Sequence, residues 1–442
     1  MHRRHFLLHT GPAFGSLALG ALLPQWLPSA LGNPLAPKTG HHPAKARRVI
    51  FLFMNGGPSH HETFDYRPEL AKAAASTPRL LAPGVAFRPA GQSGLMISEA
   101  FPELARHADD LCILNGMKID TNGHHQAVVR LHTGNERFVR PSMGSWVVYG
   151  LGSEADDLPG FVTISPIADL GGAGNYGSAF LPASYQGTRI AGSGAGSVPH
   201  LSNARLSTAD QRAQLDHIGR SNQRLAERFP GNPAFDGVIQ SYEMAFKMQT
   251  SIPETFDLAA EPESVRALYG IGDGVTDGFG SQCLMARRLA ERGVRFIQLT
   301  SNGWDHHMNV AQGVRDRAAA NDKPIAGLLA DLKQRDLLKD TLVVWGGEFG
   351  RGAHEDNAGG RGHNGSGFTF WMAGGGVKGG YVHGSKDDLG AESVEGILNF
   401  ADLHATILHL LGLDHERLSY RYAGRNFRLT DTEGVVAQEI LA

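Results

Sequence analysis

Cysteine is almost missing: Cys112 and Cys283 are the only two in 442 residues. They stand far apart and form no CxxC pair, which excludes a thiolate metal finger or a vicinal redox couple. Each lies in an apolar run, LCILNG and SQCLMARRL, where a buried, inert thiol is the expected state. Charge is also modest, at 19% of residues with a formal net charge of −3. No cluster of lysine and arginine interleaves with aromatics beyond the N-terminal segment, so nucleic acid is not an expected partner. No internal repeat is present. At 41% hydrophobic residues the chain is not a disordered one and can bury a large core, in one large domain or two fused lobes.

Glycine and histidine are plentiful, at 57 and 21 residues, which fits tight loops and metal chemistry. The N-terminus reads as a targeting signal. His2-Arg3-Arg4-His5-Phe6-Leu7-Leu8 carries a twin-arginine pair, followed by a mildly apolar stretch from Gly11 to Leu31. Pro12, Pro24 and Pro28 make that stretch a poor bilayer helix. The expectation is a signal segment over 1–32, a mobile linker over 33–47, and a protein in the periplasm or secreted, with no stable membrane span after signal removal.

Apolar runs at Arg48 to Met54, Leu111 to Asn115, Arg295 to Thr300, Leu342 to Trp345 and Phe368 to Met372 read as strands. Between them PELARHA, GSQCLMARRLAERG, KPIAGLLADLKQRDLL and NFADLHATILHLLG show the spacing of three and four that marks helices. The alternation predicts an α/β fold: a mainly parallel sheet with helices on both faces, spanning 48–430. Residues 158–250 differ in texture. Gly, Ser, Ala and Pro dominate their first part, DQRAQLDHIGRSNQRLAERFP forms a polar helix in the second, and the whole reads as a loop-rich cap or insertion.

Candidate chemistry gathers where strands end in glycine. TLVVWGGEFGR turns at Gly346-Gly347 and presents Glu348, and GRGHNG presents His363. RFIQLTSNGWDHHMN ends in Asp305, His306 and His307. Successive residues of an extended chain point to opposite sides, so Asp305 and His307 converge while His306 faces elsewhere. ARRVIFLFMNGGPSHHETFD leaves Asn55, Ser59, His60, His61 and Asp65 near a third strand end. Carboxylate with imidazole suits a divalent metal, and open α/β sheets place their sites beyond the carboxyl ends of strands. The alternative is plainer: a Glu348–Arg351 ion pair and histidine pairs in solvent.

Taken together, FLFMNGGPSHHETFDYRPEL, GHHQAVVRLHTG, GWDHHMN, GGEFGR, GRGHNGSGFTFWMAGGGVKGGYVHG and FADLHATILHLLGLD resemble the family called domain of unknown function 1501, of the alkaline phosphatase and sulfatase superfamily. The resemblance spans nearly the whole mature chain. It implies an alkaline phosphatase-like three-layer sandwich with metal ligands at the strand ends: Asn55 at the first metal-binding aspartate, Asp305 and His307 after a middle strand, Glu348 at the aspartate of an Asp-His or Asp-Asn signature with Phe349 replacing its second ligand, and His363 as the last histidine. The implied cofactor is a divalent metal, Zn, Ca, Mg or Mn. These departures thin a two-metal site toward one metal.

Such enzymes carry a modified cysteine, a serine or a threonine about nine residues before the Thr-Gly that closes a helix. Here that place falls on His124 in HHQAVVRLHTG. An imidazole can attack phosphorus, transfer protons or bind metal, so His124 and His125 are candidates, with Arg351 expected to stabilise an anion. Ser59 and Thr121 are further hydroxyl candidates. Three functions follow: a metal-dependent hydrolase of phosphate or sulfate esters, small or on a polysaccharide; a catalytically degenerate relative that binds anionic glycans or a surface partner; and a hydrolase that relies on metal-activated water.

Overall fold

The computed structural model describes residues 34–192, 201, 205–228 and 233–442. The signal segment expected over 1–32 lies outside the described residues. Ten strands position the site: β1 Arg48–Met54, β2 Leu111–Met117, β3 Phe161–Ile164, β4 Thr188–Ile190, β5 Phe296–Ser301, β6 Thr341–Gly346, β7 Gly350–Glu355, β8 Arg361–Asn364, β9 Phe368–Ala373 and β10 Tyr381–His383. Eight of them form one sheet in the order β10-β2-β9-β6-β1-β5-β3-β4. β9 runs antiparallel to its neighbours β2 and β6, and the other adjacent pairs are parallel. β7 and β8 make a separate antiparallel hairpin.

β1 shows why the sheet lies in the middle. All seven of its residues, RVIFLFM, are buried, as an unbroken apolar run demands of a strand covered on both faces. Because side chains alternate, Val49, Phe51 and Phe53 enter one core and Ile50, Leu52 and Met54 the other. The first core is closed by α1 His124–Thr133, α2 Met143–Leu151 and, at the end of the domain, Phe400–Leu410. The second is closed by Asp277–Glu291 and Val310–Gln334. The Phe400–Leu410 helix starts on a capping box: the Asn399 side chain accepts from the Asp402 N–H, and Asp402 accepts from the Asn399 N–H. The mixed α/β architecture expected from the alternating runs is the one present.

Three expectations are corrected. The segment 33–47 is no mobile linker from Leu35 onward. Leu35 and Ala46 are buried, and backbone bonds from Lys38 to Leu151 (2.8 Å) and from Ala46 to Leu410 (2.8 Å) fasten the chain to the body. The loop-rich stretch after Leu158 contributes β3 and β4 to the main sheet, so it is not wholly a cap. Its strands are too short to show periodicity among so many small residues. The fold also runs past 430, since Leu441 bridges Val377 and Ile440 is buried. Both cysteines are buried and unpaired, and burial pushes the Cys112 thiol up to about 12. No helix among the described residues is long and apolar enough to cross a membrane.

Candidate metal centre

The turn after β1, the loop after β5, the segment after β6 with its β7–β8 hairpin, and the start of α1 meet at one end of the sheet. Gly56 makes the meeting close. Its φ of +119° and a gap of 2.5 Å between the position of a Cβ and the Asp305 nitrogen admit only glycine. Its N–H then reaches both Glu348 oxygens, at 3.0 and 3.1 Å. The hairpin is tied down in turn, as the Arg361 N–H donates to the His306 carbonyl at 3.1 Å and His363 pairs across from Arg351.

Asp305 is the hub. His124 Nε2 lies 3.3 Å from its Oδ2, and His307 Nε2 and His363 Nε2 lie 3.1 and 3.3 Å from its Oδ1. The donor atoms of His124, Asp305 and His363 all fall within 4.8 Å of one another. The two imidazole nitrogens His307 Nε2 and His363 Nε2 face each other at 2.8 Å.

The other ring nitrogen of each histidine decides what Nε2 can do. A carbonyl oxygen only accepts, so His363 Nδ1 donates to the Asn122 carbonyl at 2.8 Å. His307 Nδ1 donates to the Asp356 carboxylate and His124 Nδ1 to Glu348, each at 2.6 Å. In their neutral forms, imidazoles held this way turn three Nε2 lone pairs toward the Asp305 carboxylate, with two of them opposed at contact distance; before a metal binds, Asp305 and Glu348 favour a proton on His124, which the metal would displace. Lone pairs so placed repel unless a proton or a metal sits among them. His124 Nε2 is also buried without an aligned hydrogen bond. Anchoring of Nδ1 by a carbonyl or carboxylate is the usual way a ligating histidine is oriented.

Charge points the same way. Burial disfavours a charged His124, but Asp305 and Glu348 outweigh it and raise the imidazole to about 9. Burial pushes the Asp305 carboxyl up, yet His124, His363 and Arg351 hold it well below the usual carboxylate range. The pocket favours positive charge beside Asp305. Three imidazoles and one carboxylate form a nitrogen-rich donor set that suits Zn and other borderline ions better than Ca or Mg, which prefer oxygen.

The residues singled out in the sequence do not all converge. Asp305, His307, His363 and His124 do. His306 turns away as strand alternation requires and packs on Gly313, with burial and then Arg351 lowering it to about 4. Glu348, expected as a ligand, is fully buried with its oxygens on the Gly56 N–H and on His124, so it orients His124 instead. Asn55 donates to Asn302 Oδ1 at 3.0 Å, and no contact joins its side chain to the imidazoles among the described residues. His125 is exposed and stands apart from the cluster. Arg351, expected to face a substrate anion, is fully buried. Its nitrogens go to the carbonyls of Gly56, Gly57 and Arg361 and to Asp305, so it holds the hub in place. Ser59 is sealed from solvent and donates to Glu62, which removes it as a nucleophile. Thr121 accepts from the Gly123 N–H at 3.2 Å. Phe349 packs its ring on His124 and His363, with centres 4.8 and 4.6 Å away.

Sequence reasoning missed Asp356 and the Asn122 carbonyl. The only available signal for Asp356 was an acidic residue in the glycine-rich loop before His363, and a carbonyl gives no signal at all.

Comparison with known proteins finds distant structural likenesses and one family. Solved structures with a similar chain course include PsFucS1 sulfatase from Pseudoalteromonas sp., at 13% identity over 90% of this chain and 72% of that one with a TM-score of 0.40. The lipoteichoic acid synthase LtaP from Listeria monocytogenes follows at 10% identity, 88% and 76% coverage and a TM-score of 0.36. An alkaline phosphatase from the Antarctic bacterium TAB5 gives 10% identity, 84% and 99% coverage and a TM-score of 0.38. No curated protein matches. The family model described as protein of unknown function (DUF1501) matches residues 46–441, and the chain belongs to that family.

Proposed function

We propose that this protein is an exported metal-dependent hydrolase of phosphate or sulfate esters, placed in the alkaline phosphatase and sulfatase superfamily. The observation that carries the reading is the convergence of three anchored imidazoles on Asp305. His124, His307, His363 and Asp305 would hold one divalent ion, with Zn the best match to the donor set. When bound, such an ion polarises an ester oxygen and acidifies water. The chain supplies the rest: Glu348, Asp356 and the Asn122 carbonyl fix the imidazole tautomers, buried Arg351 balances the charge of Asp305, and Phe349 gives the pocket an apolar wall. A half-exposed hub, with the Asp305 side chain 42% accessible, leaves room for an ester to approach. The twin-arginine segment supports export to the periplasm or beyond.

The decisive experiment is turnover of p-nitrophenyl phosphate and p-nitrophenyl sulfate by the metal-loaded protein, beside His363→Ala and Asp305→Ala. Turnover of either ester that both variants abolish supports the reading. A second reading, a binding protein for anionic glycans without turnover, is favoured by the sealing of Ser59 against Glu62; metal retained with neither ester cleaved would select it.

A further inference from the structure

A shelf of aromatic rings and arginines lies at the other end of α1 from His124. The ten residues of that helix rise about 15 Å before Gly134 ends it. The chain then runs through Phe138, 62% exposed, and Val139, 81% exposed, to Arg140. Facing them is a hairpin in which Tyr420–Tyr422 pairs with Arg425–Phe427. Phe180, from the glycine-rich stretch, stacks on Tyr422 with ring centres 5.1 Å apart and planes 14° from parallel. It also lies over Tyr420 at 6.1 Å. Tyr422 is 48% exposed.

Arg140 sits inside this arrangement. Its guanidinium lies 4.4 Å from the ring centre of Phe427, 5.2 Å from Phe138 and 6.0 Å from Phe180. Among the described residues it makes no hydrogen bond and no ion pair. Asp431, the acidic group acting on it, is hydrogen bonded to Arg425. The contrast with the other sheltered arginines is sharp: Arg48, Arg287, Arg351 and Arg361 each meet a carboxylate. Arg140 is held among rings with its donors unspent.

We propose that this shelf binds an anionic polysaccharide, with a sulfate or phosphate group on Arg140 and sugar rings on Phe138 and Tyr422. A guanidinium presents a planar fork that fits two oxygens of such a group, and the exposed ring faces bury the apolar C–H face of a sugar. The positive charge of Arg140 complements the anion, and Asp431, the nearby carboxylate, is bonded to Arg425 rather than to Arg140. The proposal rests on the ester-hydrolase reading only for its purpose, which is to retain a long substrate whose ester groups are cut at the metal centre; the binding itself stands apart from that reading.

The test is calorimetric binding of the full chain to dextran sulfate, dextran phosphate, neutral dextran and polyglutamate, with Arg140→Ala, Arg140→Lys and Phe138→Ala beside the native protein. Binding to one of the two charged dextrans is expected, and whichever polymer binds identifies the ester. Arg140→Ala should weaken it on the order of tenfold, Phe138→Ala by several-fold, and Arg140→Lys should remain impaired because a point charge lacks the fork. Arg140→Lys also serves if Arg140→Ala does not fold. Unchanged affinity in the variants, or polyglutamate binding as tightly as the charged dextrans, overturns the shelf. Turnover of the p-nitrophenyl esters is read in parallel: variants that lose the polymer but keep that turnover support the proposal. Polymer binding by a native protein that cleaves neither ester refutes the hydrolase reading and leaves the shelf standing.

Discussion

Two histidine-rich clusters lie beside each other in this protein, and they are built for opposite ends. Around Asp305, three partly exposed imidazoles gather their Nε2 atoms on one carboxylate, with Arg351 Nη1 at a long 3.5 Å from that of His307. A second cluster follows β1 directly. There Glu62 pairs with Arg361 at 2.8 Å with both side chains fully buried. Asp65 meets Lys386 at 3.2 Å and Arg67 at 2.9 Å. Lys386 is further held by Asn115 (2.7 Å) and Thr369 (2.9 Å). His60 donates to the Gly390 carbonyl at 2.8 Å, and His61 packs against His60 with ring centres 4.1 Å apart and planes tilted by 38°. Both clusters contain a His-His pair, acids and a buried arginine. The difference is balance: the inner cluster neutralises its own charge out of water, while the outer one concentrates negative charge and lone pairs where an ion can enter. Residue types alone therefore do not mark a site; unspent donor atoms at an accessible position do.

Breaking the inner cluster should produce the largest change in stability. Glu62→Ala strands the Arg361 guanidinium without its carboxylate, and removal of one partner of a buried pair costs roughly 3–5 kcal/mol. Urea unfolding should show that loss, while the metal content of the folded fraction stays as in the native protein. In the outer cluster the ranking reverses. Asp356→Asn and Glu348→Gln remove the carboxylates that fix His307 and His124, and losses of this kind weaken metal affinity by about 10–100-fold. Exposed Asp356 should shift stability by no more than about 0.5 kcal/mol, so competition with a chelator and thermal melts separate the two effects.

A smaller effect concerns pH. Burial lowers His60 to about 3, helped by Lys386, and lowers His132 and His404 to about 4, from an unfolded value of 6.5. Below 6.5 the unfolded chain takes up protons that the folded one refuses, so these groups leave stability intact at pH 7 and reduce it as pH falls toward 4. Melting temperature at pH 5 should lie below that at pH 7. His404→Gln, which keeps a donor for the Leu131 carbonyl now reached at 2.7 Å, should shrink the gap.

Much of this was legible in the amino-acid sequence. Arg48 to Met54 announces itself because the six apolar residues after Arg48 have only one stable place in an α/β fold, and alternation alone separated Asp305 and His307 from His306. The rest depends on partners remote in sequence. Whether Glu348 binds an ion or an imidazole depends on Gly56, 292 positions away, whose backbone approaches only once β1 and β6 pair. Arg351 reads as an anion binder until the folded turn after β1 offers it two carbonyls. β3 and β4 were hidden because four and three residues among glycine and serine carry no period.

The most direct test is elemental mass spectrometry of the natively exported protein beside His363→Ala and His61→Ala. The account predicts about one equivalent of divalent metal in the native protein and in His61→Ala, and its loss in His363→Ala. Metal kept in His363→Ala, or lost in folded His61→Ala, would contradict it.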